Sequence, residues 1–209
     1  MLKKRFFVLL LVVSVLSGLS QAVPTNGDFS SGLDGWTSSG SVSNVNGQAF
    51  FGENTSGDRM SSLSQDFFLP ADAKELSFKL TMSSSGGGSP DSDTFTASLL
   101  DYTTLAPLIS SPGYTNFYLL NDDPTQITIA SVVDDSDGGK LVTLDVSSLV
   151  GRHVLLNFGL YSDPLDSLNT TVSLDNVNVS TAVVPVPSAM LLSGIGVAAI
   201  SWFRRRNMM

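Results

Sequence analysis

The sequence predicts an all-β protein, an antiparallel two-layer sandwich, on three observations. Apolar residues recur with period 2 in several segments, the spacing that places every other side chain on one face of a strand. Gly-, Ser- and Asp-rich clusters separate those segments, and no long helical periodicity lies between them. Many short strands joined by such turns favour an antiparallel sandwich over a parallel α/β sheet.

The alternation is explicit in four segments. Leu76, Phe78, Leu80 and Met82 alternate with Ser77, Lys79 and Thr81, and Phe95, Ala97 and Leu99 alternate with Thr96 and Ser98. Further on, Val142, Leu144 and Val146 form one inward row, and Val154, Leu156, Phe158 and Leu160 another. Turn clusters include Ser83 to Pro90, with three consecutive glycines, and Asp134 to Gly139. In the last strand Val172 and Leu174 share one phase while Val177 and Val179 share the other. A β-bulge at Asp175-Asn176 returns both pairs to the core and re-aims Asp175.

The two ends of the chain read differently. Lys3, Lys4 and Arg5 precede an apolar run from Phe6 to Leu16, and Ser20 and Ala22 form a small-x-small site. Residues 1–22 are therefore expected to be a signal-peptide helix removed by signal peptidase. The sandwich is expected over 23–182 and a tail over 183–209. In that tail Pro185 and Pro187 form a stiff spacer that ends the preceding strand. Residues 188–203 are uncharged, and as a helix they extend about 24 Å, nearly a bilayer's hydrocarbon core. One transmembrane helix is expected there, with Arg204, Arg205 and Arg206 stopping it on the cytoplasmic side.

These residues resemble the PEP-CTERM sorting tail of exported proteins in Gram-negative bacteria. Val184-Pro185-Val186-Pro187 stands at the Pro-Glu-Pro-like position, Val186 replacing the name-giving Glu, ahead of the apolar run and the arginine cluster. The resemblance implies an exosortase-type enzyme that cuts near this motif. It also implies a protein exported through the inner membrane, anchored there, and then passed to the cell surface or outside.

Charge narrows the partners. Val23 to Val184 carries five basic and nineteen acidic side chains, a net of −14. Such a surface repels nucleic-acid phosphate and anionic headgroups, so nucleic-acid binding is not expected. The chain has no cysteine, which removes disulfides and thiolate metal sites.

Two further stretches resemble jelly-roll domains of the galactose-binding or carbohydrate-binding-module type. Asn26-Gly27-Asp28-Phe29 with Gly35-Trp36 is similar to their opening strand and turn, and Leu174-Asp175-Asn176-Val177 to their closing strand. Leu144 to Gly151 is similar to a late segment of theirs. The resemblance implies a structural Ca²⁺ between Asp28 and Asp175, with Ser30 where the family often has Glu.

Catalytic constellations are not evident. His153 is the sole histidine, so no centre needing two imidazoles forms within one chain, and beside Gly151-Arg152 it reads as a surface residue. Glu53 and Glu75 are the only glutamates and the aspartates cluster in turns, without marking a glycosidase pair. Asp134 to Gly139 fails EF-hand spacing and reads as a solvated turn. Tyr114, Phe117 and Tyr118 beside Pro112-Gly113 are the candidate sugar-stacking residues, the alternative being that they fill the core or a turn. The expectation is a non-enzymatic surface or biofilm-matrix protein that binds an exopolysaccharide. The alternatives are a secreted carbohydrate-active enzyme and a purely structural matrix component.

Overall fold

A computed structural model describes residues 23–55, 57–85, 93–121, 126–163 and 169–182. The signal-peptide helix and the transmembrane helix expected at the two ends lie outside them. Among the described residues there is one 3-10 turn, Ser147–Leu149, and no helix long and apolar enough to cross a membrane.

Thirteen strands follow in chain order: β1 (Thr37–Ser39), β2 (Val42–Val45), β3 (Gln48–Phe51), β4 (Met60–Phe68), β5 (Ala73–Ser85), β6 (Thr94–Asp101) and β7 (Pro107–Ile109). Then come β8 (Tyr118–Asn121), β9 (Gln126–Thr128), β10 (Ser131–Asp134), β11 (Lys140–Asp145), β12 (His153–Tyr161) and β13 (Asn169–Thr181). They form two sheets, and every pairing is antiparallel. The first has the order β1-β4-β12-β6-β8-β9, with β7 also on β6, and the second β10-β11-β5-β13-β3-β2. The predicted two-layer sandwich is the observed architecture.

The four alternating rows point where their period requires. Leu76, Phe78 and Leu80 of the second sheet face Phe95, Ala97, Leu99, Val154, Leu156, Phe158 and Leu160 of the first, all at most 1% exposed. Phe158 is the hub, its ring centroid 5.0 Å from Phe78 and 6.2 Å from both Phe95 and Trp36.

The expected bulge is present. The β13–β5 register shifts between Asp175 and Asn178, and Asn176 takes a left-handed φ of 53°. Val172, Leu174, Val177 and Val179 are all buried as a result. Asn is among the residues that accept this conformation at least cost.

The opening segment departs from expectation. Asn26-Gly27-Asp28-Phe29 is not a strand but a set of turns, because the Asn26 side chain binds its own neighbourhood. Its amide donates to Gly32 O and Asp34 O, and its carbonyl accepts from Ser31 N. The segment is fastened to β13 by Val177 N donating to Gly27 O at 2.9 Å. Trp36 Nε1 donates to Thr25 O and Asn26 O, and the Phe29 ring lies 5.4 Å from Trp36, tilted by 42°.

Candidate functional site

The sequence-predicted aromatic trio is divided by the fold. Phe117 and Tyr118 are fully buried and meet Phe78 edge-on at 6.3 and 6.1 Å, so they are core rings and not a stacking platform. The reason is local: Phe117 N donates to Ala97 O, which extends the pairing of β8 with β6 back to Phe117. Burial also raises the Tyr118 phenol well above its ordinary pKa. Tyr114 alone stays exposed, on a loop tied to the first sheet by Ser98 Oγ donating to Asn116 Oδ1 at 2.6 Å.

The outer face of that sheet carries what the sequence did not announce. His153 pairs with Phe68 across β12 and β4, and Tyr102 N donates to His153 O on the β6 side. The three rings stack in a row, Phe68 to His153 at 4.2 Å and 10°, Tyr102 to His153 at 4.0 Å and 25°. His153 Nε2 lies 2.8 Å from Asp66 Oδ2, which fixes the imidazole between its neighbours. Phe68 and Tyr102 remain 39% and 45% exposed, so each presents a free ring surface.

Tyr102 opens a turn that Asp101 builds. The Asp101 Oδ1 atom accepts from the amides of Thr103 and Thr104 and from the Thr104 hydroxyl. The Thr104 amide and then its hydroxyl hold this carboxyl below its ordinary range. The turn's charged form therefore contributes above that range and is lost only as pH falls through the lowered value.

From this wall of rings the outer face continues along the strands. Asp66, Leu155 and Leu100 follow, then Ser64 and Asn157 beside the buried Ser98, then Ser62, Gly159 and Thr96, and finally Met60 and the 41%-exposed Tyr161. His153 and Tyr161 are eight residues apart on β12, roughly 27 Å of strand. Three quarters of the way along, Gly159 keeps the floor low: a Cβ there would meet Met60 Cε at 3.3 Å and Thr96 Oγ1 at 3.4 Å. The face thus combines ring surfaces at both ends with the Asp66 carboxylate held by His153, two leucines, and then a floor of hydroxyls and an amide.

On the opposite sheet Asp28 and Asp175 line separate cavities that share Lys79 and Asn176. Asp28 accepts from the Ser30 amide and hydroxyl, and Asp175 from the Asn176 amide. The Lys79 ammonium stands with them and pairs with Asp135. That hydrogen bond raises the Lys79 pKa and lowers that of Asp135. Among the described residues no group of three or more His, Asp or Glu side chains is placed to hold a metal. A donor set of two carboxylates beside an ammonium does not fit Ca²⁺, which takes six to eight oxygens. The Asp134 to Gly139 segment is the solvated hairpin turn expected, with Gly138 at φ 81°.

The tail motif Val184-Pro185-Val186-Pro187 and the arginines at 204–206 lie outside the described residues. No curated protein matches the chain. Among solved structures it is similar to a carbohydrate-binding module described as CBM4, at 15% identity and a TM-score of 0.44, over 76% of this chain and 99% of that one. It is also similar to the carbohydrate-binding module TmCBM27, described for specific mannan recognition. That likeness has 11% identity and a TM-score of 0.40, over 70% of this chain and 88% of that one. Residues 183–206 match the PEP-CTERM protein-sorting motif, and with it the chain carries a signal for export and membrane-anchored sorting.

Proposed function

We propose that the protein is a non-enzymatic surface or extracellular-matrix protein that holds a neutral polysaccharide along the outer face of its seven-stranded sheet. An exosortase-type enzyme cutting near Pro185 to Pro187 would release it from the membrane, after signal peptidase has removed residues 1–22. The observation that carries the ligand reading is the row Phe68, His153 and Tyr102 at one end of the outer face, with Tyr161 eight residues along β12 at the other end and hydroxyls and an amide on the strands between them. Sugar rings present C–H faces that pack on aromatic surfaces, while their hydroxyls take hydrogen bonds from short polar side chains. The excess of carboxylates over the ectodomain favours an uncharged chain over an anionic one.

The rings give the test. Tyr102→Ala and Tyr161→Ala are each expected to cost about 0.5–1.5 kcal/mol of binding, roughly two- to twelvefold in Kd. Val133→Ala, on the edge of the other sheet, is expected to change nothing. The readout is affinity electrophoresis against a panel of neutral polysaccharides. Equal affinity of all three variants and wild type would remove this face as the site.

A further inference from the structure

A different region, the end from which the chain leaves the sandwich, supports an inference about its partner. Ala182 N donates to Asp72 O at 2.8 Å, in the connection between β4 and β5. The β6–β7 and β11–β12 connections form the same end. Tyr102 N bonds His153 O, Leu69 N bonds Arg152 O, and Gly151 N bonds Leu69 O. Of the ten exposed large apolar residues among those described, four belong here: Phe68, Tyr102, Leu105 and Val150.

Leu105 is the least expected of them. It is 58% exposed and held at a left-handed φ of 56°, a conformation that costs a leucine and would suit Asn or Gly. The turn enforces it, since Leu105 N donates to Asp101 O while the Asp101 carboxylate binds Thr103 and Thr104. The turn thus keeps a large apolar side chain outward at the tip of this end.

Only residues 183–187 separate Ala182 from the uncharged stretch 188–203, and fully extended they span at most about 18 Å. We infer that this end of the sandwich rests on the lipid surface from which the tail emerges, with Leu105 and Val150 entering the interface. The inference rests on reading 188–203 as the membrane-crossing segment. At this end Arg152 lies within electrostatic reach of Asp101 and Lys74 of Asp145, so no basic patch among the described residues draws it to anionic lipid. The contact is apolar, and the surface it fits is zwitterionic. The outer face of the first sheet then runs up from the bilayer, its Tyr161 end outermost.

The absence of cysteine allows single-site labelling of the full chain in phosphatidylcholine vesicles containing nitroxide-headgroup lipid. A fluorophore at Thr103→Cys reports the Leu105 turn. One at Val133→Cys reports a point level with Lys79, six residues or roughly 20 Å along β5 from Ala73. The label at 103 is expected to be quenched several-fold more than that at 133. In a Leu105→Ser, Val150→Ser background it is expected to fall to the level at 133, which tethering alone does not produce. Equal quenching at 103 and 133 in chains that float with the vesicles, or quenching at 103 indifferent to the serine pair, overturns the contact. Chains that do not float at all overturn the membrane-crossing reading and the contact with it, while leaving the polysaccharide face to its own test.

Discussion

Phe158→Ala is expected to destabilise the sandwich by about 3–5 kcal/mol, the range for emptying the site of a fully buried aromatic ring. Its ring touches Phe78 of the opposite sheet and Phe95 and Trp36 of its own side, so the cavity opens where the two layers meet. At a size of this order each kcal/mol moves Tm by about 2–4 °C, giving a drop of roughly 6–20 °C. Phe68→Ala, which removes a ring of similar size from the exposed face, is the comparison. Thermal unfolding of the two variants separates core from surface, and a similar loss in both would contradict the hub assigned to Phe158.

Gly27→Ala is expected to have the next largest effect. A Cβ at Gly27 would lie 1.9 Å from the carbonyl oxygen of Val177 and 2.9 Å from its carbonyl carbon. These are backbone atoms of β13 and cannot swing aside. The opening segment must move, at a cost of about 1–3 kcal/mol for the overlap, with about 1 kcal/mol more for losing the Val177 N to Gly27 O bond. Trp36, held through the carbonyls of Thr25 and Asn26, reports the change as a red shift of its emission. An unshifted spectrum and unchanged Tm would mean that the segment is not clamped on β13.

The long strands were legible because each has a buried face and a solvent face. β5, β6, β11 and β12 alternate cleanly, and even the slip at Asp175-Asn176 could be read as a bulge, since only a bulge reconciles the phases of Leu174 and Val177. The short strands β1, β2, β7 and β10 were not legible. Most of their residues are exposed or half-buried, so burial imposes no period on them. The candidate site was the least legible part. Phe68, Tyr102 and His153 are far apart in the chain, and only the pairing of β4, β12 and β6 sets them in one row. Conversely, the sequence leaves Phe117 and Tyr118, beside a Pro-Gly turn, open between a stacking platform and the core, and only the fold, with Phe117 N bonded to Ala97 O, places both rings in the core. The opening segment resembled a strand in sequence, yet the carboxamide of Asn26 satisfies its backbone as turns.

The most direct measurement is the migration of the full chain, solubilised in neutral detergent, through native gels cast with neutral or with polyanionic polysaccharides. Retardation by at least one neutral polysaccharide is expected, with none by the polyanions, and it should be lost when Phe68, Tyr102 and Tyr161 are replaced together by alanine. Unhindered migration through every neutral polysaccharide, or retardation by polyanions alone, would contradict a neutral-glycan surface on the outer sheet.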